Sequence, residues 1–354
     1  MKITPRVTMR QIALKAGVSH STVSLSLNGS PAITTATRER ITALAREMGY
    51  EPDPMLAALN VYRQQKKGSG YRATFAWLNN FRNRGILRSN PDFDLYWQGA
   101  CEQARQAGYN MEELWLQESG MTINRLNRIL KSRQIQGLLV PPLPQAHNLE
   151  PLPWENYSVV AFGYSHTPVF HLVTNAQFRC ARLAVQRLHA MGHRNIGMFS
   201  WPDFEERTDY NYSGGYTSEC TRLGIRPRIC HVDDTPNEEG GLNKTLLRRW
   251  AQQVRDWLGK NKLHAMIMPD PTITIGLEET GLRLCDEMAV AVVSYYQKHP
   301  RFGGVDQNAR GIGAAAVNQL IGMIQRNEKG YPEYPLRIHV EGFWVDGPSL
   351  HRNP

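Results

Sequence analysis

Cysteine is scarce in this sequence, and the few cysteines form no cluster. The chain of 354 residues has five of them, at Cys101, Cys180, Cys220, Cys230 and Cys285. No two form a CxxC pair, and no group of cysteine and histidine has the spacing of zinc ligands. An odd number of scattered cysteines is typical of free thiols in a reducing compartment. We therefore expect a cytoplasmic protein with neither disulfides nor a metal site.

Long apolar runs are missing too. No stretch of about 18 apolar residues occurs, so a membrane-spanning helix is not predicted. The N-terminal segment MKITPRVTMR is polar and lacks the apolar region of a secretory signal. These two features predict that the protein has no membrane partner.

Motifs of common enzyme classes are absent as well. The sequence has no P-loop and no GxGxxG, HExxH or GxSxG motif. Its aspartates and histidines are scattered without a recognisable catalytic arrangement. We therefore predict a protein that is not an enzyme and needs no cofactor.

Positive charge is concentrated at the N-terminal end of the chain, whose formal net charge is +9. Residues 1–67 contain ten lysines and arginines but only four acidic residues. A basic head on a nearly neutral body favours a polyanionic partner such as nucleic acid. A basic surface that only improves solubility is the alternative.

The pattern of residues 7–28 predicts two short helices joined by a tight turn. Thr8, followed three residues later by Gln11, is a capping-box start. Gly17 tolerates the left-handed turn that ends a helix, and Ser19 occupies the N-cap position of the next one. This arrangement is typical of a helix-turn-helix.

A third helix is predicted to complete a small all-α head over residues 1–52. Thr34 or Thr35 is placed to cap this helix, and Gly49 is placed to end it. Its apolar positions recur at helical spacing and are Ile41, Leu44, Ala45 and Met48. A helical bundle that only packs against another element is the alternative.

Residues 53–72 are predicted to form a hinge helix followed by a flexible linker. Asp53 is a good N-cap and Pro54 a good first helical residue. Because the helical stretch is too short to be stable alone, we expect it to order only against a partner. The alternative is a short linker helix that packs on the body.

From residue 73 onward, strand and helix patterns alternate, which predicts an α/β body with parallel sheets and helices on both faces. The predicted strands are the segments ATFAWL, NMEELWL, QGLLVPP, YSVVAFG, HRNIGMFS, HAMIMPD and VAVVSYY. The predicted helices cover Leu95–Ala107, Ile123–Ser132, Ala176–Met191, Tyr210–Leu223 and Trp250–Leu258. The alternation restarts near Val173, so we predict two lobes with a cleft between them.

These two lobes together form the predicted core over residues 73–354. The first lobe is expected to comprise residues 73–173 and 303–332, and the second residues 174–302 and 333–354. Ligands of open α/β sheets bind beyond the carboxyl ends of the strands. Residues that directly follow strands are therefore the candidates for a binding site in the cleft.

The segment from Ile12 to Pro52 resembles the DNA-binding head of the LacI family. It contains, in order, the GVSxxTVS core, the NGS turn, the TRERI segment and the GYxP ending. The body resembles the periplasmic-binding-protein-like core of that family through ARLAVQRLHAMGHRNIGMFS, GIGAAAVNQLIGMI and VEGFWVDGPSL. The resemblance covers nearly the whole chain.

This resemblance implies a transcription regulator, expected to be a repressor, that binds a pseudo-palindromic operator in double-stranded DNA as a homodimer. A small-molecule effector, expected to be a sugar or sugar derivative, would bind between the lobes and change the operator affinity. The alternatives are a regulator whose core binds no ligand and a binding module of the transport type.

The resemblance also implies which residues contact DNA, because the family's second helix enters the major groove. The matching positions are Thr8, Ser19, His20, Ser21, Thr22, Ser24, Leu25 and Asn28. His20, Ser21 and Leu25 would face base edges, although for His20 a phosphate contact is the alternative. Leu25 departs from the polar residue common in relatives, and we expect it to meet a thymine methyl group.

In the hinge helix, Leu59 matches the residue that relatives wedge between base pairs in the minor groove. Such a wedge kinks the duplex toward the major groove. Ala57 departs from the family pattern, which often has a polar or basic residue at that place. A direct minor-groove hydrogen bond from this position is therefore not implied.

Effector contacts implied by the resemblance lie after strands or in the loops that follow them. The matching positions are Asn79, Asn80, Arg207, Asn211, Asp270, Tyr295 and Tyr296. The segment SYYQ replaces the usual Gly-Phe-Asp-Asp, so tyrosines stand where a sugar-binding acid is common. Aromatic rings could still stack on a sugar face. For each of these residues, a surface or packing role is the alternative.

Overall fold

A computed structural model describes residues 7–27, 33–50, 73–143, 152–165, 169–233, 242–295 and 300–351. The chain divides into two compact units, Met1–Gly70 and Tyr71–Pro354. We call the described part of the first unit the head and the described part of the second unit the body. Within these ranges, no helix combines the length and apolar character needed to cross a membrane.

The head is a three-helix unit built around a very small core. Its helices are α1 (Met9–Ala16), α2 (His20–Leu27) and α3 (Thr35–Glu47). Each helix contributes one fully buried aliphatic side chain, and these are Ile12, Val23 and Ile41. Burial of a side chain of this size contributes about 1.5–3 kcal/mol, so the head depends on a few contacts.

Local hydrogen bonds define the helix ends of the head. The Gln11 N–H donates to Thr8 Oγ1 (3.4 Å) and the Thr8 N–H donates to Gln11 Oε1 (2.8 Å), which is the predicted capping box. Gly17 ends α1 at φ +67°, where a residue with a Cβ would be strained. Ser19 Oγ accepts the Thr22 N–H at the start of α2 (3.0 Å). The predicted helix-turn-helix is confirmed.

The body consists of two sheets of parallel or mainly parallel strands. The strands are β1 (Thr74–Asn79), β2 (Asn110–Trp115), β3 (Gly137–Val140), β4 (Ser158–Phe162), β5 (His171–Asn175), β6 (Ile196–Ser200), β7 (Ile229–His231), β8 (Ala265–Met268), β9 (Ala289–Val292), β10 (Gly303–Asp306), β11 (Arg337–Val340) and β12 (Phe343–Val345). The first sheet has the order β11-β5-β4-β3-β1-β2 and the second β12-β10-β9-β8-β6-β7. The two lobes thus repeat one strand order.

Helices cover both faces of each sheet. They are α4 (Ile86–Ser89), α5 (Pro91–Gln106), α6 (Ile123–Ser132), α7 (Gln177–Ala190), α8 (Pro202–Arg207), α9 (Asn211–Arg222), α10 (Lys244–Lys260), α11 (Pro271–Glu278), α12 (Leu284–Glu287) and α13 (Ala309–Arg326), with a 3-10 turn at Trp154–Asn156. In β1, Phe75 and Trp77 pack with α5 and α13, whereas Ala76 and Leu78 pack with α6. In the second lobe, one layer forms with α7 and α9 and the other with α10 and α11. The predicted fold class is confirmed.

Close helix packing fixes the position of α5 in the first lobe. A Cβ atom on Gly99 of α5 would lie 2.1 Å from the Arg310 carbonyl oxygen. A Cβ atom on Gly313 of α13 would lie 2.0 Å from the Tyr96 carbonyl oxygen. The two backbones therefore touch at a place where only glycine fits. This contact holds α5 firmly, and the first turn of α5 reaches the second lobe.

Two short strands lie in the opposite lobe from the one that the sequence predicts. Gly303–Asp306 pairs with β9 in the second sheet, although we expected residues 303–332 in the first lobe. Arg337–Val340 pairs with β5 in the first sheet, although we expected residues 333–354 in the second. The chain thus crosses between the lobes just after each of these strands. Strand β12 then pairs antiparallel to β10, in a sheet predicted to be parallel.

Candidate DNA-binding and effector-binding sites

Helix α2 buries one side and exposes the side chains predicted to meet base edges. Val23 and Ser26 are buried against the rest of the head. His20, Ser21 and Leu25 are exposed, Leu25 to 40%. On a helix with 3.6 residues per turn, these three positions fall on one side. We call this exposed side of the helix, with its imidazole, hydroxyl and leucine side chains, the outer surface of α2.

A hydroxyl cluster fixes the beginning of α2. Ser19 Oγ lies 2.9 Å from Ser21 Oγ and 2.8 Å from Thr22 Oγ1, besides accepting the Thr22 N–H. Ser19 therefore acts first as the N-cap, and the hydroxyl of Thr8 is engaged in the capping box in the same way. These bonds orient the Ser21 hydroxyl before any partner arrives.

The remaining predicted DNA contacts differ in exposure. Thr22 and Ser24 are half-buried at the edge of the outer surface of α2. Asn28 and Leu59 lie outside the described residues, so these two predictions stay as they are. Arg10, on α1, adds an exposed cation to the head. A positive charge on the same small unit as α2 suits a phosphate partner.

In the body, the side-chain amide of Asn79 makes all its hydrogen bonds to residues of the first lobe. Its Nδ2 donates to the Arg84 carbonyl oxygen (3.1 Å) and to Glu113 Oε1 (2.8 Å), while its Oδ1 accepts the Phe81 N–H (3.1 Å). Asn79 is fully buried and has no amide hydrogen left for an effector. Its geometry indicates that it shapes the turn after β1, which was the alternative role left open by the sequence.

Other predicted effector residues are partly engaged as well. Asn80 is buried, and its Oδ1 accepts Gln117 Nε2 (2.7 Å). Asp270 caps α11, with Oδ1 accepting the Ile273 N–H (3.0 Å). Tyr295 is half-buried and packs against the core of the second lobe. Tyr296 lies outside the described residues.

Arg207 and Asn211 flank a strained turn between α8 and α9. The guanidinium of Arg207 is half-buried, and Asp203 at 3.9 Å is a distant ion partner. Burial lowers the pKa of Arg207 below its ordinary value, against the opposing effect of Asp203. Between them, Asp209 and Tyr210 have φ of 51° and 54°, a left-handed conformation that is unfavourable without glycine.

This turn contacts the first lobe directly. Arg337 Nη1 of the first lobe lies 3.1 Å from Asp209 Oδ2 of the second, and the guanidinium stands 5.3 Å from the centre of the Tyr164 ring. A cavity of about 170 Å³ lies here, lined by Tyr164 and Phe170 on one side and by Glu206 and Asp209 on the other. The strained turn is therefore one place where the two lobes meet.

A second meeting place was missed by sequence reasoning. Ser294, two residues after the end of β9, donates to Asp92 Oδ2 of α5. Gln307 Nε2 donates to Ser294 Oγ (3.0 Å), and the Tyr96 hydroxyl donates to Gln307 Oε1 (3.4 Å). In this series of hydrogen bonds, each donor is directed toward the Asp92 carboxylate. The sequence around Asp92 signals only an ordinary first helical turn behind the N-cap Asn90.

Burial dominates the electrostatics of this carboxylate. Asp92 is 9% exposed. Burial raises the pKa of Asp92 to about 6; the bonds from Ser294 and Gln307 oppose this, whereas the charges of Asp270 and Asp306 reinforce it. Burial also raises the pKa of Asp306 above its ordinary value. The second meeting place is therefore acidic and poorly solvated.

Two families match this chain in separate segments. Residues 8–53 match "Bacterial regulatory proteins, lacI family", and residues 185–340 match "Periplasmic binding protein-like domain". The first segment contains the helices of the head. The second contains most of the second lobe together with α13 and β11.

Curated relatives match at low identity. The HTH-type transcriptional repressor CytR of Escherichia coli (strain K12) is 27% identical over 231 residues, which cover 62% of this chain and 60% of CytR. The match thus spans less than two thirds of that relative. The HTH-type transcriptional regulator PtxS of Pseudomonas plecoglossicida is 26% identical over 344 residues, 95% of this chain and 94% of PtxS.

Solved structures of similar fold align with nearly the whole chain. The complex of the transcriptional regulator CelR with cellobiose has a TM-score of 0.59 at 20% identity, covering 97% of this chain and 100% of CelR. The Lac repressor dimer bound to operator and the anti-inducer ONPF has a TM-score of 0.56 at 18% identity, covering 98% and 100%. At such identities the likeness concerns the fold alone.

Proposed function

The chain belongs to the LacI family of bacterial regulatory proteins, and from this premise we propose that it is a sequence-specific DNA-binding transcription regulator. The outer surface of α2 carries this proposal. Its exposed His20, Ser21 and Leu25 stand on a helix whose start is fixed by hydroxyl bonds and whose opposite side is buried. A helix held in this way suits insertion into the major groove.

We propose that the regulator acts as a cytoplasmic homodimer on a pseudo-palindromic operator, since two-fold symmetry of the protein is mirrored in its site. The relative CytR is a transcriptional repressor, which supports a repressor role. The Lac repressor structure is a dimer bound to its operator, which supports the dimeric assembly. Leu59 is proposed as the minor-groove wedge. No catalytic step is part of this proposal.

We propose further that a small molecule bound between the lobes changes the operator affinity. The CelR structure holds cellobiose, which supports a sugar or sugar derivative. Arg207 and Asn211 are the predicted contacts that best suit this role, because they flank the strained turn where the lobes meet. A ligand shifts the lobes only if it binds one arrangement more tightly than the other.

A core without any ligand is the second candidate. The internal hydrogen bonds of Asn79 and Asn80 favour it, because these amides are already engaged. Thermal unfolding in the presence of a metabolite panel separates the two candidates. Stabilisation by a panel member supports the ligand-responsive regulator, and a flat response across the panel supports the second candidate.

The DNA-binding proposal is tested by selection from random duplex DNA, followed by titration of the enriched site. With about 6–10 phosphate contacts, affinity is expected to fall roughly 1,000- to 100,000-fold between 50 and 200 mM salt. Leu59→Ala is expected to weaken binding to a palindrome with a flexible central step, since the wedge stabilises the kinked duplex.

The contribution of α2 is measured with two hydroxyl deletions in the head. Ser21→Ala removes an exposed hydroxyl from the outer surface of α2, and Thr42→Ala removes a half-buried hydroxyl from the middle of α3. Ser21→Ala is expected to weaken operator binding by about 0.5–1.5 kcal/mol, the value of one hydrogen bond. Thr42→Ala is expected to leave it unchanged. Equal effects of both, or a selection that enriches no sequence with or without metabolite extract, would contradict the proposal.

A further inference from the structure

Asp92 occupies an unusual position for a charged side chain. It lies in the first turn of α5 in the first lobe, and its Oδ2 accepts a hydrogen bond from Ser294 of the second lobe. Only 9% of its surface is exposed. The carboxylate therefore lies at a contact between the two lobes.

The carboxylate is incompletely satisfied. Among the described residues, Asp92 Oδ1 has no hydrogen-bond partner. Within the described ranges, the charged groups that act on Asp92 are Asp270 and Asp306 of the second lobe, and both are acidic. A buried charge is ordinarily paired with an opposite charge. Here the chain itself supplies like charges and neutral donors instead.

The chemistry of Asp92 Oδ1 indicates which kind of ligand group would bind to it. A hydroxyl group would satisfy the lone pairs of Oδ1 but would leave the negative charge of Asp92 uncompensated. A cationic N–H group does both, and its hydrogen bonds to a carboxylate are about twice as strong as neutral ones. Among the described residues, no three His, Cys, Asp or Glu side chains are placed to hold a metal ion, which favours an organic cation.

We propose that Asp92, with Asp306 and Asp270 opposite, forms a subsite for a protonated amine carried by the effector. The proposal rests on the proposed function, because the amine belongs to the molecule that binds between the lobes. An amine held by Asp92 of the first lobe and Asp306 of the second joins the two lobes. The effector therefore favours the arrangement in which these carboxylates are close together.

The experiment compares sugars that differ only by an amine. D-glucosamine with D-glucose, and D-galactosamine with D-galactose, are titrated into the full chain at about pH 7.5 by calorimetry, with methylammonium as the minimal cation. At least one amino sugar is expected to bind about tenfold or more tightly than its neutral partner, as expected for a charge-assisted hydrogen bond. Neutral sugars that bind as tightly as their amino partners overturn the proposal, and so does the absence of binding by every amine up to about 50 mM.

Three variants assign the preference to the subsite. Asp92→Asn is expected to reduce the amine preference to within about twofold, because it removes the charge and keeps the shape. Asp306→Asn is expected to reduce it partly. Asp94→Asn is the matched control, since Asp94 lies in the same first turn of α5 but bonds to Gln98 of its own helix. A preference that survives Asp92→Asn overturns the proposal.

Failure of this subsite is distinguishable from failure of the proposed function. Operator binding of the same preparations is measured without sugars by fluorescence anisotropy. A chain that binds its selected operator but shows no amine preference retains the regulator function and loses the amine subsite. Thermal melts of each variant identify any that does not fold, and Asp306→Asn then replaces Asp92→Asn in the comparison.

Discussion

The outer surface of α2 and the buried carboxylate between the lobes are two proposed binding sites that differ in exposure and in hydrogen bonding. Ser21 on α2 is exposed, and its hydroxyl is already oriented by a hydrogen bond with Ser19. Asp92 is ionisable and buried, and one of its oxygens lacks a partner among the described residues. Water satisfies the first site when no ligand is bound, but little water reaches the second.

This difference determines what each site contributes to folding. An exposed hydroxyl on the DNA-binding surface hardly affects the stability of the free protein, since substitutions at such positions usually change the free energy of unfolding by less than about 0.5 kcal/mol. A buried carboxylate without a positive charge beside it destabilises the ligand-free fold, because hydrogen bonds from neutral donors only partly replace the water that it has lost. Substitutions in the outer surface of α2 should therefore alter binding alone, whereas substitutions at Asp92 should alter both binding and stability.

The largest expected effect is a pH-dependent destabilisation by Asp92. Its folded pKa of about 6 lies above the ordinary value of 3.8. A raised folded pKa means that the contribution to stability is fully present below pH 3.8 and is lost as pH rises through 6. The free energy of unfolding of Asp92→Asn minus that of the parent chain should therefore increase by about 3 kcal/mol between pH 3.8 and about pH 8.

Urea denaturation followed by tryptophan fluorescence measures this difference for the body alone, because all eight tryptophans lie after residue 70. In the described part of the chain, the titratable groups near Asp92 are Tyr96, Tyr212, Asp270 and Asp306, and none of them supplies a positive charge. Asp94→Asn, in the same first turn of α5, serves as the matched control substitution. A constant gap between Asp92→Asn and the parent chain would mean that Asp92 is solvated in the free protein.

The head could be predicted from sequence because its structure follows local rules. The capping box of Thr8 and Gln11 spans three positions, and so does the bond from Thr22 to Ser19. Gly17 ends α1 through its own backbone preference. Each of these features depends on neighbours within one helical turn, so the pattern of residue types was enough.

The site between the lobes could not be predicted in the same way, because its neighbours are distant in sequence. Asn79 follows a strand, as an effector residue should, but Glu113 on the adjacent strand occupies its amide. In the sequence, Asp92 is an ordinary acidic residue of a first helical turn. In the folded body it is buried and bonded by Ser294 and Gln307 of the second lobe. Only the assembled body shows which polar groups are satisfied and which are not.

The same limit explains the two displaced strands. The short strands β10 and β11 lie beside the crossings between the lobes, where hydrophobic pattern does not reveal which sheet a strand joins. Pairing decides this, and Arg337 aligns with Leu172 of the first sheet while Gly303 aligns with Ala291 of the second. The fold class was predictable from alternation, but the crossings were not.

A smaller effect is expected at the start of α2, where Ser19 has a structural role and Ser21 a recognition role. Ser19→Ala removes the N-cap and should destabilise the head by about 0.5–2 kcal/mol. Hydrogen exchange of the α2 amides measures this loss, while the tryptophan fluorescence of the body should not change. Ser21→Ala is the matched control, because it keeps the bond from the Thr22 N–H to Ser19 Oγ, and it should raise the exchange rates less than Ser19→Ala. Equal protection in both variants would show that Ser19 does not cap the helix.

The smallest effect on stability, with a clear effect on recognition, is expected at Leu25. This side chain is 40% exposed on the outer surface of α2, so Leu25→Ala should change the free energy of unfolding by less than about 0.5 kcal/mol. If Leu25 contacts a thymine methyl group, the variant should lose its preference for thymine at one position of each half-site. Leu25→Arg should instead select guanine there, because arginine bonds guanine O6 and N7 together and discriminates by about 1–3 kcal/mol. Selection of operators by the three chains measures this directly, and an unchanged site would place Leu25 away from the bases and confine readout to His20 and Ser21.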